Sequence, residues 1–419
     1  MKNGLVVIGG GLAGITTAIK KKNDYEDVII VEKTNQIGGL LNGIKIGRDQ
    51  FPIGAHFLRK TGIRDIDETI FPNTFEWDQL EYLKTAATSF GKLDTDTGYL
   101  NINHGSLSVR FSAYKALIKG WMSKVDDNRI FYSELERIET IYGKEIATVY
   151  NDLSKRYFGI DIEEQIEGSL APLACTQRIK AFTKIGTRYL KKIEYFDNTI
   201  SYHNAKEGSV YYSNFVPKGL RYQEWWQGVE KLLMCNGIKI LKNTKVSFDA
   251  TKNKYYVNHS GEAASEGIEY FENCEIIDTT NRKKTFRTQM SQTILLFYGC
   301  DSDPLIENHF ISSFTKRDVF SRITLCHNIN RAHKGIVVEI VVPITADVGT
   351  ALVSEKCIAQ MREYKIIDLD TKIKLLKSIN LWGAGFQPKI ISRNESTISH
   401  SDKGISSGNV WFMNEVIND

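Results

Sequence analysis

Apolar positions along the chain follow two periods. Short β-branched runs at 5–8 and 28–31 read as buried parallel strands. Between them Leu12, Ile15 and Ile19 share one face of a helix predicted over 12–22. Helical spacing returns at 114–123, 146–158 and 179–192, and an amphipathic helix is predicted at 225–235. Residues 237–246, 275–280 and 409–413 read as further strands. The longest apolar stretch, 335–344, is interrupted by Glu339. It also reads as a strand, well short of the roughly 20 residues of a membrane-crossing helix. The opening strand–helix–strand order predicts an α/β fold.

The first turn of this βαβ unit is Gly9-Gly10-Gly11-Leu12-Ala13-Gly14, a GxGxxG pattern at Gly9, Gly11 and Gly14. Each glycine has a physical reason. Gly9 makes the tight turn, Gly11 lets a pyrophosphate approach the backbone, and Gly14 lets helix and strand pack closely. The helix N-terminus, at Leu12 and Ala13, offers free N–H groups and the positive end of a dipole. Glu32 closes the second strand and can accept hydrogen bonds from a ribose. Strand, helix, second strand and terminal acid occur in order, which predicts dinucleotide binding.

Composition narrows the classes. The chain has 419 residues, which predicts two to three domains, and its 42% hydrophobic content supports a large core. The net charge of +4 is too balanced to imply nucleic acid. The 6 cysteines form no CxxC pair and match no zinc spacing, so reduced thiols, a cytoplasmic location and no metal are expected. The glycine-bearing N-terminus does not read as a secretory leader.

After Glu32 come five residues and the pair Gly38-Gly39. The string from Gly9 to Gly39 resembles the FAD fingerprint of the amine oxidase, protoporphyrinogen oxidase and UDP-galactopyranose mutase superfamily. Three later segments add to this. Gly54-Ala55-His56-Phe57 resembles a histidine segment beside the flavin ring. Pro217-Lys218-Gly219, a helix and Asn243-Thr244-Lys245-Val246 resemble the segment that passes the adenine. Arg322-Ile323-Thr324, followed by the strand bearing Glu339, resembles the place where the mutases grip a substrate diphosphate.

The resemblance implies a doubly wound, Rossmann-type FAD-binding sheet with a helical insertion and a mixed β-sheet substrate domain. The implied divisions are a βαβ unit at 1–60, a mainly helical insertion at 61–212, and a return to the FAD domain at 213–290. A substrate sheet at 291–395 and a final FAD-domain strand at 396–419 complete it. The implied cofactor is FAD, held by Gly9, Gly11, Leu12, Ala13, Gly14, Glu32, Lys33, Gly38, Gly39, Leu40, His56 and, through its main chain, Val246. His56 is the candidate catalytic residue, or alternatively a hydrogen-bonded structural histidine. Arg322 is the candidate for an anionic substrate, or alternatively a surface strand residue.

The chain departs from the family in three places, one being that the mutases' tyrosine-bearing segment near the C-terminal strand is not recognisable. Leu58-Arg59 stands where the mutases carry a second histidine. No Gly-Arg turn follows 409–413, which implies a pyrophosphate site weaker by about one to a few kcal/mol. The expected function is a flavoenzyme, mutase-like or oxidoreductase, acting on a nucleotide-linked sugar or related anionic carbohydrate in surface polysaccharide biosynthesis. The alternative is a non-catalytic nucleotide-binding or partner subunit.

Overall fold

The computed structural model describes residues 2–54, 57–80, 83–123, 130–170, 176–201, 203, 214–249, 254–259, 274–279 and 291–381. His56 and the strand expected at 409–413 lie outside them. The chain divides into two compact units, Met1–Gln79 with Ser213–Arg287 and Asn409–Asp419, and Leu80–Tyr212 with Thr288–Gly408.

The first unit is built on a parallel sheet in the order Ile238–Leu241, Tyr25–Val31, Lys2–Ile8, Cys274–Asp278. Helix Leu12–Lys21 joins its two N-terminal strands and buries Leu12, Ile15 and Ile19 as the spacing predicts. Along the strands, alternate residues Val6, Ile8 and Val31 form a cluster with Val246. Helix Tyr222–Cys235 buries Trp225, Val229 and Leu233, four residues apart on one face, together with Trp226.

The predicted strand through 237–246 is two elements. Ile238–Leu241 belongs to the parallel sheet, while Thr244–Asp249 pairs antiparallel with Lys254–His259. Asn243, with φ 53°, makes the break. Asparagine enters this left-handed region at less cost than other residues with a Cβ. The Val246 side chain is therefore a core residue, 3% exposed.

The second unit carries a seven-stranded mixed sheet. Its order is Ile373–Leu381, Ser291–Cys300, Gly335–Pro343, Arg322–Leu325, Phe310–Ser313, Thr85–Ser89, Lys92–Asp94. Phe310–Ser313 and Thr85–Ser89 pair in parallel. One core joins Leu296, Tyr298, Ile323, Ile336 and Val338 to Cys357 and Met361 of helix Thr350–Glu363. Another packs Leu117, Tyr142, Tyr150 and Tyr157 of helices Leu107–Met122, Glu134–Tyr142 and Lys144–Phe158 against Phe314 and Val341.

Two expectations are corrected. The boundary at 60 moves to 79, because helix Arg64–Ile70 and strand Trp77–Leu80 serve the first unit. The Trp77–Leu80 strand pairs with Asn214–Pro217, and the Trp225 indole donates to the Ile70 carbonyl at 2.7 Å. The segment 61–212 also supplies two strands to the substrate sheet. The helix predicted over 179–192 begins only at Lys184, because the Thr183 hydroxyl caps it by accepting the Gly186 N–H. Ile179–Lys180 instead pairs with Leu100–Asn101.

Candidate nucleotide-binding site

The glycine turn sits at the carboxyl ends of the parallel strands, where open α/β sheets bind their ligands. Gly9 has φ 105°, and its N–H donates to the Val31 carbonyl at 2.8 Å. Gly14 packs so closely that a Cβ there would stand 1.9 Å from the Gly9 carbonyl oxygen. Gly11 differs from both. Its backbone is extended, φ −77° and ψ 179°, and the nearest atom to an added Cβ is the Gly39 Cα at 3.9 Å.

The second glycine pair folds back over the first turn. The Gly38 N–H donates to the Gly10 carbonyl at 2.8 Å, and Gly38 and Gly39 have φ of 112° and 55°. A Cβ on Gly39 would approach the Gly11 Cα to 3.2 Å, and one on Gly38 would meet the Trp226 ring at 2.4 Å. The indole N–H of Trp226 donates to the Leu41 carbonyl at 3.1 Å and so holds this loop in place. Gly11 and Gly39 thus pack backbone against backbone, with no side chain between them.

Helix Leu12–Lys21 opens onto this turn. It has no side-chain cap and no acidic residue in its first turn, while Lys20 and Lys21 occupy its last. The N–H groups of its first turn have no intrahelical acceptors, and its dipole favours an anion there. Glu32 is buried. One carboxylate oxygen accepts the Gly10 N–H at 2.8 Å, and the other accepts the Thr34 N–H and hydroxyl, each at 2.9 Å. These bonds fix the carboxylate beside the turn, and the oxygen facing Gly10 retains a further lone pair for a ribose hydroxyl. Lys33 and Leu40 are exposed, Leu12 is buried and Ala13 is half-buried.

Sequence reasoning missed three supports of this site. Thr34 braces Glu32, and Trp226 backs Gly38. Thr279 donates its hydroxyl to the Ile8 carbonyl at 2.8 Å, beside Gly14. Only Thr34 is near the motif in sequence.

Arg322 lies in the second unit. Residues directly opposite one another across its sheet run Ser312, Arg322, Glu339, Leu295. Arg322 Nη1 is 3.8 Å from Glu339 Oε1, and its guanidinium stands over the Phe310 ring at 5.8 Å. The buried Nε of Arg322 has no hydrogen-bond partner, nor has the buried hydroxyl of Thr324 two residues along the same face. Unmet donors of this kind are costly unless something accepts from them. In the same unit, a cleft lined by Asn103, Tyr114, Lys180, Phe182 and His203 contains a network the sequence did not suggest. Lys180 Nζ is 2.8 Å from Asp94 and 3.3 Å from Asp96, and His203 bonds Asp96. Burial alone would raise the Asp96 carboxyl, but the His203 bond and the Lys180 charge outweigh it and hold it below the ordinary carboxylate range.

Residues 7–67, which contain the turn, Glu32 and the second glycine pair, match the family of NAD(P)-binding Rossmann-like domains. The whole chain resembles the crystal structure of reduced UDP-galactopyranose mutase with a TM-score of 0.65 and 12% identity, over 91% of this chain and 83% of that one. The chain has the mutase fold. The same fold relates it to a CLA-producing fatty acid isomerase from P. acnes, with TM-score 0.51, 10% identity, and coverage of 90% and 85%. It also relates it to putrescine oxidase bound to putrescine, with TM-score 0.51, 8% identity, and coverage of 89% and 84%. No characterised protein matches the chain by sequence. Isomerases and oxidases alike use the mutase fold, so the scaffold alone does not choose the reaction.

Proposed function

We propose that the chain is an FAD-dependent enzyme acting on an anionic carbohydrate, with a nucleotide-linked sugar as the favoured substrate class. The observation that carries this reading is the glycine turn itself, which combines an uncapped helix end, a Gly11 free of side-chain neighbours and the fixed Glu32 carboxylate. The free N–H groups of that helix end suit a pyrophosphate, with Glu32 on the adenosine ribose and the main chain near Val246 on the adenine. When bound, FAD supplies redox and nucleophilic chemistry at its isoalloxazine ring. The chain's contribution is to orient the cofactor, to place His56 for proton exchange, and to hold an anionic group of the substrate through Arg322.

The support for an anionic substrate is the unpartnered Nε of Arg322, whose planar fork suits phosphate oxygens. The test is a flavin spectrum after incubation with FAD and gel filtration. A yellow protein with stoichiometric flavin supports the enzyme; a colourless one that cannot be loaded favours the non-catalytic nucleotide-binding reading. Titrating the loaded protein with UDP-galactose tests the substrate class. Arg322→Ala should weaken binding by about 10-fold or more, the worth of a charge-assisted pair. Arg322→Lys should fall in between, and flavin content should stay unchanged in both. Equal dissociation constants for wild type and Arg322→Ala would remove Arg322 from the site. His56→Ala should retain flavin yet shift its spectrum or slow turnover; no change in either would make His56 a structural histidine.

A further inference from the structure

Helix Leu107–Met122 is apolar on two faces. One face, with Val109, Ala113, Leu117 and Gly120, is buried. The other presents Leu107, Phe111, Ile118 and Met122. These four positions fall within roughly 60° of arc at 3.6 residues per turn. Leu107, Phe111 and Met122 are 76%, 72% and 73% exposed, and Ile118 and Trp121 about half. Single exposed apolar residues are ordinary, but a stripe running the length of a helix marks an interaction surface.

Charge says what kind of surface it meets. Lys115 and Lys119 flank the stripe on one side and Arg110 on the other, and the helix contains no acidic residue. Ring contacts of Tyr114 with Phe182 and Trp121 with Phe196 hold the segment 182–196 beside the helix. That segment exposes Ile185 and Tyr189 and brings Lys184, Arg188 and Lys192. Of the acids at its end, Glu194 is exposed, and Asp197 is already ion-paired with Lys191 at 2.9 Å. A second copy of this face would bring cation against cation. A surface that is apolar within and anionic at its boundary matches both parts of the pattern.

We propose that this face docks the protein on a lipid bilayer containing anionic phospholipids, with helix Leu107–Met122 lying in the interface plane. At 16 residues with three cations it is too short and too charged to cross the membrane, and among the described residues no helix is long and apolar enough to do so.

The test is co-sedimentation of the full chain with phosphatidylcholine vesicles, with and without phosphatidylglycerol. The chain should sediment with the mixed vesicles, remain soluble with phosphatidylcholine alone, and be released by salt. Lys115→Glu with Lys119→Glu should lower partitioning by at least about 25-fold, about fivefold for each lysine lost. Phe111→Ser with Ile118→Ser should lower it by about 10-fold or more while the circular dichroism spectrum is unchanged, because both side chains are exposed. The proposal is overturned if the wild type stays in the supernatant with every vesicle, or if the serine variant binds as well as wild type. It is equally overturned if the chain dimerises without lipid and the serine variant is monomeric, which would make the stripe a contact between copies.

Discussion

Two glycines of one motif differ in tolerance. Gly14→Ala places a Cβ 1.9 Å from the Gly9 carbonyl oxygen, so helix and strand must part. We expect a loss of about 1–3 kcal/mol or more, read as a lower urea midpoint. Gly11→Val meets no such obstacle and sits in extended backbone that a β-branched residue accepts. It should fold with near wild-type stability and fail to retain FAD. Stoichiometric flavin in folded Gly11→Val would show that the pyrophosphate does not lie against Gly11. The places of Gly9 and Gly14 were legible because each answers a local geometric need, a positive φ and a close approach of helix to strand. The role of Trp226 was not, because its contact with Gly38 joins distant parts of the chain and leaves no mark on either local pattern.

Among the elements, the helices over 12–22, 146–158 and 225–235 were legible from their single buried faces. The strand expected through 237–246 misled because its apolar alternation runs on while Asn243 turns the backbone. Pairings between distant segments were equally hidden, including the parallel seam of Thr85–Ser89 with Phe310–Ser313. His309 sits at the head of that seam. Its N–H donates to the Lys84 carbonyl at 2.7 Å, and its Nδ1 accepts the Lys84 N–H at 3.0 Å. Burial, with lesser repulsion from Lys84 and Arg331, pushes the imidazole down to about 4. A histidine depressed in this way contributes its full stability above its unfolded pKa of about 6.5 and loses it as pH falls toward 4. Up to about 3 kcal/mol should disappear across that window. His309→Gln keeps an acceptor and cannot take up a proton, so its urea midpoint should fall less steeply between pH 6.5 and 4. Parallel pH profiles for the two proteins would assign the acid sensitivity elsewhere.

At the scale of the molecule, neither unit is a continuous stretch of chain. Residues 1–79 hold only Lys2–Ile8 and Tyr25–Val31 of the four-stranded parallel sheet, while Ile238–Leu241 and Cys274–Asp278 return much later. A fragment of residues 1–79 should therefore lack a cooperative thermal transition by circular dichroism, because the flanking strands and the tryptophan helix are missing. A sharp two-state melt of that fragment would show that the nucleotide motif folds without them. The resemblance implied such interleaving through its return to the first domain at 213–290. The boundary itself was hidden, because residues 61–79 join the first unit through pairing with Asn214–Pro217 and the Trp225 bond.

The indoles of Trp225 and Trp226 stand 4.1 Å apart between ring centres, and Trp226 lies directly against Gly38. The loop that folds over the first turn therefore has a fluorophore packed against it. Isoalloxazine absorbs where indole emits, so FAD bound as proposed should dim this pair by resonance energy transfer, and an unchanged emission on loading would count against that placement. Trp226→Phe should shrink the change in emission without abolishing it, because Trp225 and Trp77 remain close by. Cofactor arrival can thus be timed in a stopped-flow mixer, separately from turnover.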